Sequence, residues 1–188
     1  MMDLLKYYQI RNETKFSDFL QLKEVGLTGF DKFFEIISKD KEKIVQIIAY
    51  SLMPTHFHLI LKQLEEKGIS SYIGSILNSY THYFNTKRGR KGPLWESKFK
   101  NVLVDKDEQL IHLIRYLHLN STTALLTDKP EQWPYSSYNE YLSSSNETSS
   151  LCQYNDILDI KPSGHKKFVS DRIAYQRELA KIKNLLLD

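Results

Sequence analysis

The stretch that most restricts how this chain can fold is KIVQIIAYSLMPTHFHLILKQ, residues 43–63. Two runs rich in β-branched and apolar residues are separated by little more than Pro54 and Thr55. Branched side chains are stiff at χ1 and pack well on a pleated surface, whereas proline cannot donate to a ladder. The pattern predicts a hairpin. Its first strand, KIVQIIAYSLM, is nearly continuous in apolar residues and reads as buried on both faces; the second is HFHLILKQ. Side chains at i and i+2 of a strand leave the same face, with Cα atoms about 6.5 to 7 Å apart. His56 and His58 therefore point one way, and Phe57 and Leu59 the other. Two imidazoles converging in this way can chelate one divalent cation. So short a pattern equally allows one histidine to cap the hairpin while the other sits at the sheet rim.

The remaining segments are mostly helical in pattern. Residues 3–10 read as a short amphipathic helix. KFSDFLQLKEVG reads as a helix capped by Ser17 and stopped at Gly26, and GFDKFFEIISKD offers an apolar face through Phe30, Phe33, Phe34 and Ile37. GISSYIGSILNSYTHYFNTKRG is a long helix burying Ile73, Ile76, Leu77, Tyr80 and Phe84. KFKNVLV reads as a third strand. Asp107 can cap the helix DEQLIHLIRYLHLN, which is expected to end near Asn120. EQWPYSSYNEYL reads as a turn and a short helix, SSSNETSS as a flexible linker, and residues 156–160 and 166–187 as helices of mixed charge. These elements predict an α+β fold with an antiparallel sheet and a helical C-terminal tail. The expected division is a domain at 1–142, a linker at 143–150 and the tail at 151–188.

Two further groups of residues suggest chemistry. On the helix that begins at Asp107, the stripe Leu110, Leu113, Ile114 and Leu117 is apolar, while His112, Tyr116 and Asn120 share another stripe at i, i+4 and i+8. That spacing sets a phenol one turn before an amide, although a tyrosine in such a place is commonly an amphipathic residue at a core boundary. Upstream of this helix, Lys87, Arg88, Arg90, Lys91, Lys98 and Lys100 stand against one acid, Glu96, with Trp95 and Phe99 interleaved. Cations neutralise phosphates, and aromatic faces can stack on unpaired bases for about 1 to 3 kcal/mol each. A solvated basic loop with its aromatics anchored in the core fits the same residues.

Composition narrows the setting. A single cysteine, Cys152, excludes an internal disulfide framework and cysteine-rich zinc sites, as expected of a reducing cytosol. The first residues lack the apolar segment of a secretion signal, and no apolar run approaches the ~20 residues that span a bilayer. A cytoplasmic location is expected. A net charge of +3 by itself says nothing about partners.

Taken in order, AYSLMPTHFHLILKQ, GISSYIGSILNSYTHYFNTK, GPLWESKFKNVLV, LIHLIRYLHLN and WPYSSYNEYL resemble the REP-associated tyrosine transposases. These are members of the HUH single-strand DNA transposases, named for a His-hydrophobic-His motif. The resemblance covers roughly residues 4–142. It implies a ferredoxin-like antiparallel sheet flanked by helices and a Mg²⁺ or Mn²⁺ site at His56 and His58, completed by Asn120. It also implies Tyr116 as nucleophile. The implied substrate is single-stranded DNA beside a hairpin of a palindromic repeat, nicked and rejoined through a 5′-phosphotyrosine. Residues 87–100 are then the expected DNA contact, Arg115 is expected to help position the phosphate, and the protein is expected to act as a monomer or homodimer. Two departures stand out. The family's first strand, of the YH-hydrophobic-NRG kind, has no counterpart before MMDLLKYYQ, which would leave a neighbouring strand edge unpaired. The usual Asn-Pro-Val after the tyrosine helix reads Asn120-Ser121-Thr122 here. A hairpin-binding protein that has lost catalysis is the alternative.

Overall fold

The computed structural model describes residues 1–143 and 150–185. The fold is α+β, an antiparallel pair of strands flanked by helices and followed by C-terminal helices. In chain order the elements are α1 (Met2–Tyr7), α2 (Phe16–Leu20), α3 (Lys23–Thr28), α4 (Phe30–Ser38), β1 (Val45–Leu52), β2 (Phe57–Gln63), α5 (Gly68–Arg88), α6 (Asp107–Thr123), a 3-10 turn (Pro130–Gln132), α7 (Tyr138–Leu142), α8 (Pro162–Ser170) and α9 (Ile173–Leu185). The chain divides into two compact units. One joins Met1–Gln46 to Leu61–Val102; the other joins Ile47–Ile60 to the described residues from Leu103 onward. The linker expected at 143–150 falls largely outside the described residues.

The first unit is held by aromatic packing. Tyr7, Ile10, Phe19, Val25 and Phe34 form its core, with Phe16, Phe30, Phe33 and Ile37 packed against it. The helix expected across KFSDFLQLKEVG is two helices instead, broken at Gln21–Leu22, with Lys15 rather than Ser17 at the first N-cap. Geometry explains the break. At about 100° per residue, positions 19 and 25 of one straight helix would face about 120° apart. The interruption turns Val25 back to the core that Phe19 enters. Further along, α5 starts against the main chain of Ile44, and a Cβ on Gly68 would lie 2.3 Å from the Ile44 oxygen. Backbone cannot yield as a flexible side chain can, so Gly68→Ala should destabilise the protein by about 1 to 3 kcal/mol, measured by urea denaturation.

Strand β1, most of which belongs to the second unit, is buried along its whole length, as its composition predicts. The edge of β1 away from β2 is closed by the segment 135–141. Leu52 N–H donates to Tyr135 O (2.8 Å), Ser137 N–H donates to Tyr50 O (3.0 Å), and the Tyr141 hydroxyl donates to Ile48 O (2.7 Å). Over Ile48–Leu52 this edge of β1 is thus satisfied. The third strand expected at KFKNVLV does not form. Residues 98–104 are irregular, with Val102 80% and Leu103 85% exposed, so strand propensity alone does not place this segment in the sheet. Likewise, residues 156–160 form no helix: Ile157 and Leu158 N–H donate to Tyr154 O in a turn, and the tail's first helix begins with Pro162 at its first position.

Helix α6 runs one turn beyond the expected stop at Asn120. Nothing after Asn120 removes an N–H until Leu125 and Leu126 close the end by donating to Thr122 O (3.2 Å) and Ser121 O (2.9 Å). This is the hydrogen-bond pattern of a Schellman cap, and Leu125 occupies its left-handed position with φ of 58°. At the other end the N-cap is Lys106, and Asp107 sits in the first turn, where its charge suits the helix dipole. Since glycine alone takes a left-handed φ without steric penalty, Leu125→Gly should stabilise the protein by about 1 kcal/mol, read as a rise in melting temperature.

Candidate active site on helix α6

Within the second unit the hairpin turn and α6 bring two of the predicted groups together. His56 lies in the turn and not in the strand: Met53 N–H donates to His56 O (2.8 Å), and β2 starts at Phe57. The two imidazoles nonetheless meet, their ring centroids 5.0 Å apart. Tyr116, from the middle of α6, packs edge-on against His58 with centroids 5.8 Å apart. Tyr116 is 48% exposed. Burial, and secondarily the proximity of His56, pulls the pKa of His58 below the ordinary value, keeping it neutral at neutral pH. A neutral imidazole is the form that binds a metal. His56 Nδ1 is engaged by the Thr55 hydroxyl at 3.1 Å, which leaves Nε2 available.

Asn120 follows Tyr116 by one helical turn, about 6 Å along the axis. It is buried, and its Nδ2 has no hydrogen-bond partner. A buried amide left unsatisfied is uncommon and asks for a reason. Oxygen and nitrogen of an amide are interchangeable by a flip, so the orphaned position can equally present an oxygen. Among the described residues no three His, Cys, Asp or Glu side chains gather into a metal-binding group. An amide oxygen presented at Asn120 has the chemistry of a ligand for a hard divalent cation.

The other two histidines of α6 do different things. His112 is exposed and accepts a hydrogen bond at Nδ1 from Arg115 Nη2 (2.8 Å). His118 is buried with both nitrogens occupied, Nδ1 to His165 Nε2 and Nε2 to Ser137 Oγ, each 2.8 Å. Ser137 spends its one proton on Tyr50 O (3.2 Å) and accepts from Tyr50 N–H (3.0 Å). Proton bookkeeping then runs one way: His165 Nε2–H donates to His118 Nδ1, and His118 Nε2–H donates to Ser137 Oγ. Burial, and then the neighbouring His165, holds His118 well below its ordinary pKa, while burial pushes His165 down to about 4. Tyr138 and Tyr141 ring His118 at 5.4 and 4.8 Å. This buried chain fixes the α6 backbone between Tyr116 and Asn120 to β1, α7 and α8. Ser137 lies inside the motif WPYSSYNEYL, but nothing in the sequence pointed to His165.

The basic segment belongs to the first unit. Lys87 and Arg88 end α5, whose left-handed cap is Gly89 with φ of 62°. Lys87 Nζ donates to the Tyr83 hydroxyl (2.9 Å), and Arg90 donates to Asn85 Oδ1 (3.3 Å) and Pro93 O (3.2 Å), which shapes the loop. Trp95 is half-buried, its Nε1–H donating to Leu77 O (3.3 Å) and its ring 5.8 Å from Tyr80. Lys91, Lys98 and Lys100 are exposed. Arg115 belongs to the second unit, beside Tyr116.

No helix among the described residues is long and apolar enough to cross a membrane. No curated protein and no solved structure gives a significant match to the chain. The family described as "Transposase IS200 like" matches residues 23–120, just over half the chain and a span that holds the hairpin, both histidines, Tyr116 and Asn120. A DNA-processing role in transposition and recombination follows from that membership, and the chain belongs to the IS200-like transposase family.

Proposed function

We propose that the chain nicks and rejoins single-stranded DNA beside a hairpin, with Tyr116 as nucleophile and a divalent cation, Mg²⁺ or Mn²⁺, held by His56, His58 and Asn120. The observation that carries this reading is the contact between Tyr116 and His58 at 5.8 Å, made by residues from two separate elements of one unit. In the reaction the phenolic oxygen forms a bond to phosphorus and the bond from phosphorus to the 3′ oxygen breaks. The phenol's proton passes to water, and the departing oxygen leaves as a 3′-hydroxyl. The 5′-phosphotyrosine keeps the bond energy, so attack by a second 3′-hydroxyl rejoins strands and frees Tyr116 without an external energy source. When bound, the cation supplies Lewis-acid polarisation of the phosphate, undiminished by carboxylate ligands. The exposed cations of residues 87–100 and Arg115 suit the DNA backbone, a role that Trp95, held by its own hydrogen bond, serves less directly.

The test is to incubate the protein with hairpin DNA bearing a single-stranded flank, labelled at either side of the cleavage site, and denature the mixture. Label from the 3′ side of the break should remain covalently attached to protein and label from the 5′ side should not. Label retained from neither side would support the alternative, a hairpin-binding protein without catalysis. The metal set has its own readout. His58→Ala should lower Mn²⁺ affinity at least about 100-fold by isothermal titration calorimetry, with no change in fold by circular dichroism.

A further inference from the structure

The helix that carries Tyr116 is gripped by α8, which lies beyond the family-matched residues 23–120 but in the same compact unit as α6 and the hairpin turn. Three residues of α8 make the contact, and their i, i+3, i+4 spacing sets them on one face of it. His165 Nε2–H donates to His118 Nδ1 at 2.8 Å, and both rings are buried. Phe168 lies 4.1 Å from the Arg115 guanidinium and 6.0 Å from the His112 ring. Val169, fully buried, shares a core cluster with Leu119 and Tyr138. The grip therefore runs along α6 from one turn before Tyr116 to one turn after it. At about 100° per residue, His118 leaves the helix about 160° from Tyr116 and about 160° from Asn120. Its tether thus lies on the side of α6 away from the two residues that face the chemistry. Apolar burial is non-directional and tolerates small rotations of a helix, whereas a hydrogen bond between two buried rings does not. The lever is long: a tyrosine oxygen stands about 8 Å from its helix axis, so a rotation of about 10° carries it about 1.4 Å. A misplacement of about 1 Å can cost a reaction about 100-fold.

We propose that α8 completes the active site, with His165 as a positioning residue that acts through His118 to set the rotation of α6 and so the approach of Tyr116 to His58. The inference rests on Tyr116 as the nucleophile. His165 takes no part in bond making, and its reach to the site is through α6 alone. The C-terminal segment, which the sequence sets apart as a tail, is on this reading part of the catalytic frame.

Full-length protein at pH 7.5 tests this with two substitutions at one position. His165→Leu keeps the bulk and loses the N–H, while His165→Gln keeps an N–H donor. At saturating hairpin DNA and Mn²⁺, His165→Leu should slow adduct formation at least about tenfold, and His165→Gln should restore most of the rate. The DNA concentration for half-maximal rate should stay the same in both. A second readout needs neither metal nor DNA. Because Tyr116 packs edge-on against His58, the carbon-bound ring protons of His58 should differ in NMR shift between the parent and Tyr116→Leu protein. His165→Leu should lose most of that difference, and His165→Gln should keep it. Gly68→Ala, which strains the other unit, should lower stability and move neither readout. Unchanged rate and shift in His165→Leu, or an equal slowing by Gly68→Ala, would overturn the positioning role and leave Tyr116 chemistry intact. If the parent forms no adduct, the nicking reading falls and the His58 shift alone confirms or overturns the inference. If His165→Leu does not fold, Phe168→Leu, at a half-buried position, decides in its place by the same two readouts.

Discussion

Replacing Tyr116 with phenylalanine should lower formation of the covalent protein–DNA adduct by at least about 10⁴-fold, the scale on which loss of a nucleophile is felt. The ring that packs against His58 at 5.8 Å is kept, and only the hydroxyl goes. Because Tyr116 is 48% exposed and its hydroxyl has no hydrogen-bond partner among the described residues, stability should change by less than about 0.5 kcal/mol. DNA affinity should stay within about twofold, since no charge is altered. Adduct counted on denaturing gels, alongside thermal melting and fluorescence anisotropy, separates the three quantities. An adduct as abundant in the variant as in the parent would place the nucleophile elsewhere.

The second large effect is an acid-sensitive lock on α6. His165 is held neutral by burial, with its pKa pushed down to about 4, whereas in the unfolded chain it titrates near the ordinary value of about 6.5. Between these two values the unfolded chain binds a proton that the folded one refuses. Stability is therefore complete above about pH 6.5, declines as pH falls toward about 4, and loses nothing further from this group below that. The full loss is on the order of 3 kcal/mol, and about 2 kcal/mol of it is reached by pH 5. Urea denaturation at pH 7.5 and pH 5 measures the difference, which should shrink in His165→Gln protein. Removing His118 is more severe: His118→Ala would leave the buried His165 N–H without its acceptor, take one hydrogen bond from the Ser137 hydroxyl and open a cavity beneath Tyr138 and Tyr141. A loss of about 3 kcal/mol or more at pH 7.5 is expected.

Local patterning made much of the scaffold legible. The buried first strand, the hairpin turn at Pro54–Thr55, the long helix α5 and the tyrosine helix α6 all follow from runs whose periodicity and punctuation are unambiguous. The α2–α3 break was hidden because KFSDFLQLKEVG is a good helical string in isolation. Only the aromatic core formed with α1 and α4 demands that Phe19 and Val25 face the same way. The KFKNVLV segment misled for the converse reason. It has strand propensity, but propensity is local and pairing is not: Tyr135 and Ser137, far along the chain, take the edge of β1, and residues 98–104 stay irregular.

The sequence alone determined which chemistry this protein can present: a paired imidazole motif on a hairpin, and a phenol one turn ahead of an amide. Those spacings are set by the strand repeat and the helix repeat, which operate over a few residues and need no further context. What brings Tyr116 onto His58, buries Asn120 with its amide unsatisfied, locks His118 to His165 and lays Phe168 under Arg115 is tertiary packing between segments up to 58 residues apart in the chain. Such contacts depend on the closure of the whole unit, and no local period encodes them.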